Sequence, residues 1–167
     1  MEWIGYELHP ETPPGGKSLR QLLPGFNPEK MSEGLNRAGA PYGISFNPIE
    51  VAANSRLALE ACEFARDAGQ FEKAHARLYQ AYFQEGENIG EKSTLLRLLG
   101  EIGLDPHSLN SALDNHVYTS RLELAREKAL EHGITAVPTF IINGSEKIVG
   151  AQQYDVFVRH LNAHLDG

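Results

Sequence analysis

Two kinds of residue in this chain could do chemistry, a proline-initiated strand and a small set of titratable side chains. The strand lies in Gly133-Ile134-Thr135-Ala136-Val137-Pro138-Thr139-Phe140-Ile141-Ile142-Asn143-Gly144, followed by Gly150-Ala151-Gln152. Proline has no ladder donor, so within a sheet it is confined to strand starts, edges and bulges. Pro138 starts its strand, where the missing donor is tolerated. Val137-Pro138 in a tight loop is also the kind of bond for which cis is affordable, and we expect it cis. The amides and carbonyls of Ala136 and Val137 would then face outward and offer an extended peptide a short backbone edge by strand addition.

Among titratable groups, Cys62 is the single cysteine. It shares a helical face with Ala58, Ala61 and Ala65, which reads as a buried, inert thiol; a reactive one needs exposure and a cationic neighbour. One cysteine closes no intramolecular disulfide and builds no cysteine-rich metal site. His160 and His164 are four apart on a helix, with no Glu or Cys at a supporting spacing, and read as a solvated face. His9, His75, His107, His116 and His132 have no convergent partner in sequence. Asn54 is open to two readings, a helix N-cap or a polar group facing a cleft. Phe71, Tyr79, Tyr82 and Phe83, at helical spacing, are expected to pack in the core.

The elements that must position these groups follow from the pattern. The 167 residues suit one domain or a small core with a large insertion. Apolar content of 41% permits a sizeable core, and a net charge of −7 argues against nucleic acid and anionic membrane as partners. No apolar run is long enough for a membrane span. MEWIGYELHP has neither the basic nor the apolar region of a signal peptide. Met1–Leu8 reads as a strand, rich in residues such as Trp3, Ile4 and Tyr6. A Pro/Gly loop follows, then a helix capped by Asn27-Pro28. Residues from about 50 to 115 are helical, in segments over 54–68, 71–84, 94–102 and 106–115. A helix over 118–132 presents Leu122, Leu124, Ala125 and Ala129 for burial and ends at Gly133. The strand ending at Ile142 returns through an Asn143-Gly144 hairpin turn to Lys147–Val149. Gln153 to Leu165 closes as an amphipathic helix (Tyr154, Phe157, Val158, Leu161).

The segment Val137-Pro138-Thr139-Phe140 with Asn143-Gly144 and Gly150-Ala151-Gln152 resembles the cis-proline loop and hairpin of the thioredoxin superfamily, and in detail the DsbA-like, FrnE-type oxidoreductases. Glu2-Trp3 through Pro10 is similar to that family's second core strand. Asn54-Ser55-Arg56-Leu57 is similar to the start of its helical insertion, and Leu78-Tyr79-Gln80-Ala81-Tyr82-Phe83 with Gly86 to Gly90 is similar to a stretch within it. The resemblance implies an α/β thioredoxin-like fold with a large all-helical insertion. The partial thioredoxin-like domain is 1–45 with 117–167, and the insertion is 46–116. It also implies that the first core strand and active-site helix, with Cys-x-x-Cys, precede Met1, so that the chain is N-terminally truncated and inactive in the dithiol cycle.

The activity implied is protein disulfide exchange in the cytoplasm, without a cofactor or metal, on protein thiols and disulfides or glutathione-like small thiols. Substrate would be held by Ala136, Val137 and Pro138, with Asn54 beside the cleft as in kappa-class glutathione enzymes. The same architecture serves glutathione-dependent 2-hydroxychromene-2-carboxylate isomerases and kappa-class transferases, which is one alternative; a non-enzymatic peptide- or partner-binding remnant is another. With the first strand absent, the exposed sheet edge is expected to support a homodimer.

Overall fold

The computed structural model describes residues 1–163. Most of its regular structure is helical, and each helix starts where local chemistry allows. After a two-residue strand β1 (Lys17–Ser18), α1 spans Leu19–Leu22 and α2 spans Pro28–Gly39. Asn27 caps α2, its side chain accepting from the Lys30 amide at 2.7 Å, and Pro28 fills the first helical position. Strand β2 (Val51–Ala52) leads into α3 (Arg56–Asp67), α4 (Phe71–Gln80), α5 (Lys92–Glu101) and α6 (Pro106–Asp114). Asp105 caps α6 by accepting from the Ser108 amide at 2.8 Å. Helix α7 (Thr119–Glu131) precedes β3 (Thr139–Ile142), β4 (Glu146–Val149) and α8 (Tyr154–Ala163). The Asn143-Gly144 turn has positive φ at both residues, 49° and 75°, the pairing that a type I′ hairpin requires. The expected end of the last helix at Leu165 and the residue His164 lie outside the described residues.

The core sits in the helical insertion. Ala61 and Ala65 of α3, Ala74 and Leu78 of α4, Leu95, Leu98 and Leu99 of α5, and Leu109 and Leu113 of α6 form one buried cluster. By contrast α7 buries Leu122 and leaves Leu124 exposed, and α8 leaves Tyr154 and Leu161 exposed, although the spacing of all of these suggested burial. Phe157 of α8 packs edge-on against Phe140 of β3, with ring centroids 4.9 Å apart.

Three further expectations are corrected. Residues Met1–Leu8 form no strand. A strand exists only through its ladder, and this segment is held by side chains instead. Arg66 donates to the Trp3 carbonyl at 2.7 Å, the Tyr6 hydroxyl donates to the Ile134 carbonyl at 3.4 Å, and Glu7 pairs with Arg56 at 2.8 Å. The helix over 71–84 is α-helical only to Gln80; a π turn over Ala81–Glu85 follows and ends at Gly86, φ 71°. The aromatic residues expected in the core form a partly exposed row of rings along α4 and the π turn that follows it. Phe71 packs at the edge of the core and Tyr79 is exposed.

The ladder between β1 and β2 was not foreseen; it pairs Lys17 with Ala52 and Ser18 with Val51. Gly16 permits it, since its φ is 79° and a Cβ there would lie 2.5 Å from Val51 Cγ1. Strand β3 pairs antiparallel with β4, Phe140 facing Ile148. Among the described residues its other edge has no partner strand, and this is the edge through which the dimer is expected.

Candidate functional site

The loop between α7 and β3 is built to be exposed. Gly133, at φ 63°, ends α7, and the Ile134 amide closes that end on the Ala129 carbonyl at 2.8 Å. The chain then runs out to Ala136, Val137 and Pro138, all exposed, before entering β3. The Val137–Pro138 bond is cis. Two contacts fix the loop's base. Thr139 Oγ1 donates to the Ala136 carbonyl at 2.7 Å, and the Gly150 amide donates to the Pro138 carbonyl at 2.7 Å. The amide and carbonyl of Val137 have no hydrogen-bond partner among the described residues. Val137 is exposed and lies immediately ahead of β3, so these unpaired groups are available for addition of an extended peptide.

Asn54 stands apart from that loop in its contacts. Its Oδ1 accepts from the Arg56 amide at 2.9 Å and its Nδ2 donates to the Thr12 carbonyl at 2.5 Å. Both bonds are to backbone, so Asn54 ties the start of α3 to the Pro-rich loop after His9, one residue ahead of the cap position at Ser55. A cavity of about 320 Å³ opens beside it, lined by residues including Gly15, Glu50, Ala53, Tyr82, Gly86 and Glu87.

Cys62 is buried, and desolvation with the Glu63 carboxylate beside it pushes its thiol up to about 12. A thiol held there carries no thiolate at neutral pH and attacks nothing. Among the described residues, no three His, Cys, Asp or Glu side chains gather to hold a metal ion, and no helix is long and apolar enough to cross a membrane. Sequence reasoning missed one pair. Glu146 of β4 lies against His160 Nδ1 on α8, across a 14-residue separation that no periodicity reveals.

Sequence also gave no sign of the charge cluster under the N-terminal segment. Arg56 reaches Glu7 at 2.8 Å, Glu60 at 3.4 Å and Glu123 at 3.8 Å. Glu7 and Glu60 are buried, and Glu60 Oε2 has no partner among the described residues. Thr119 donates to the other oxygen of Glu60 at 3.2 Å. The cluster thus locks residues 1–8, α3 and α7 together beside the exposed loop.

Residues 1–162 match the family model of the DSBA-like thioredoxin domain. A Bacillus subtilis protein, the uncharacterized protein YwbO, is 34% identical over 168 residues, covering 97% of this chain and 80% of that protein. The crystal structure of a probable DsbA oxidoreductase from Streptomyces coelicolor superposes with a TM-score of 0.83 at 19% identity, over 95% of this chain and 72% of that one. A 2-hydroxychromene-2-carboxylate isomerase superposes with a TM-score of 0.66 at 20% identity, over 83% of this chain and 65% of that one. At these identities the two structures speak for the fold, a DsbA-like thioredoxin fold with a helical insertion.

Proposed function

Because the chain belongs to the DSBA-like thioredoxin domain family, we propose that it is the substrate-holding part of a thiol–disulfide oxidoreductase acting on protein thiols and disulfides. The observation that carries this reading is the exposed Ala136–Val137–Pro138 loop, with the Val137 amide and carbonyl unpaired at the head of β3. A mixed disulfide needs the substrate backbone held beside the attacking sulfur while one S–S bond forms and another breaks. The loop does the holding by backbone hydrogen bonds, which are tolerant of sequence. Asn54 contributes from the insertion side by fixing the Thr12 loop.

The attacking dithiol is not among these 167 residues, whose one cysteine is buried and protonated. In this proposal the dithiol sits on a strand–helix unit outside them that meets the free edge of β3, and the 167 residues alone are inactive in disulfide exchange. Where that unit is absent, the free edge of β3 is open to self-association; a cytoplasmic location belongs to the same reading.

Peptide binding tests the loop. Titrating an extended, cysteine-blocked peptide into the isotope-labelled chain should shift the amide resonances of Ala136, Val137 and Thr139 and leave those of α5 and α6 in place. Shifts confined to the helical insertion would remove the loop from the reading.

A further inference from the structure

The exposed loop bridges α7 and β3, and its two ends are held differently. At the β3 end, the Thr139 hydroxyl on the Ala136 carbonyl and the Gly150 amide on the Pro138 carbonyl fasten it, both at 2.7 Å. Packing gives the α7 end no comparable anchor. The buried residue of α7 is Leu122, in its first turn, whereas Leu124 and Leu130 are exposed. The contacts of α7 with α3 lie near that same first turn, where Thr119 donates to Glu60 and Glu123 approaches Arg56. The far end of α7 is reached instead by a side chain from the hairpin. Lys147 of β4 stands opposite Ile141 in the ladder, and its Nζ donates to the carbonyl of His132, the cap residue of α7, at 2.7 Å. The Tyr6 hydroxyl adds a longer bond to the Ile134 carbonyl, at 3.4 Å.

We propose that Lys147 is a positioning residue for the substrate loop. By joining β4 to the end of α7 it fixes the span over which residues 133–138 run, and so holds the Val137 amide and carbonyl in place for an extended peptide. This role rests on the reading of that loop as the peptide-holding edge.

The chemistry suits the task. The last carbonyls of a helix have no partner within it and carry partial negative charge, so a cation is favoured there. Lysine brings three donors and no acceptor. Among the described residues no carboxylate pairs with Lys147, so nothing competes with the helix end for its ammonium group. The loop needs such a tie because Thr135, Ala136 and Val137 are all exposed, and no packing sets their positions. A backbone edge ordered in advance spares binding the entropy of ordering it.

Peptide affinity tests the role. Lys147→Met keeps most of the stem and removes the donors. Titrated with an uncharged, cysteine-blocked extended peptide, this variant should bind about two- to tenfold more weakly than the parent, the fold-change equivalent to one net hydrogen bond. Lys147→Arg keeps a cation that can donate to the carbonyl and should recover most of the affinity. Lys73→Met removes an equal charge from an exposed position on α4 and should bind as the parent does. Denaturation midpoints should agree across the series, since the substituted side chains are on the surface. Equal affinity for Lys147→Met and the parent, failure of arginine to rescue, or an equal loss in Lys73→Met would overturn the positioning role and leave the loop reading standing. A fall in global stability that tracks the lost affinity would also overturn it, assigning Lys147 to the fold. A parent chain whose Val137 resonance ignores the peptide would overturn the loop reading, and this role with it.

Discussion

Replacing Arg56 with methionine should destabilise the fold by about 3–5 kcal/mol, the range seen when one partner of a buried ion pair is removed. For a chain of this size that corresponds to a fall in Tm of about 6–20 °C. The size follows from what is left behind. Glu60 is fully buried, with one carboxylate oxygen already unpartnered among the described residues, and Glu7 is nearly as buried. Arg56 is the guanidinium that reaches both, at 3.4 Å and 2.8 Å. Methionine fills the volume of the side-chain stem but leaves two carboxylates in a poorly solvated seam. A second substitution separates charge from packing. Glu60→Gln in the Arg56→Met background removes one stranded charge and should recover part of the loss. Thermal unfolding of the single and double variants gives both numbers. A single variant within about 0.5 kcal/mol of the parent, as for an ordinary surface change, would show that the cluster is well hydrated and does not hold the N-terminal segment.

Leu98→Ala should cost about 2–5 kcal/mol, the range for emptying a leucine-sized space in a packed core. Leu98 is fully buried among the helices α3 to α6. The contrast is with apolar residues outside that cluster. Val149 and Leu161 are about half exposed, and Val149→Ala or Leu161→Ala should change stability by no more than about 0.5 kcal/mol. Chemical denaturation of the three variants locates the core. Equal losses would mean that the hairpin and α8 share in it.

The parts of the fold that were legible in the sequence are those set by local chemistry. Asn27-Pro28 and Asp105-Pro106 announce helix starts because a side-chain acceptor and a fixed φ act within three residues. Asn143-Gly144 announces its hairpin because both residues tolerate positive φ. The exposed loop ahead of β3 was legible for the same reason, as was the burial of Cys62 from its alanine-lined face.

What was not legible depends on partners far along the chain. The strand propensity of Trp3, Ile4 and Tyr6 is real, but a strand needs a ladder, and Arg66, Ile134 and Arg56 hold that segment by other means. The aromatic stripe on α4 has the spacing of a core face, yet the small residues Ala74 and Ala81 and Leu78 take the interior and the rings are left to stack on one another. Leu124 has a helical period but faces no neighbour that covers it. The Glu146–His160 and Arg56 clusters join residues separated by 14 and 49 positions, which no periodicity of a helix or strand relates.

Dithiothreitol-driven reduction of insulin tests the central claim most directly. The 167 residues alone should reduce insulin at the rate of the buffer control. The same chain fused behind a strand–helix segment bearing Cys-x-x-Cys should turn over, because the Ala136–Val137–Pro138 loop then faces an attacking thiolate. Turnover by the 167 residues that survives Cys62→Ala, or a folded fusion that stays at the control rate, would contradict the account.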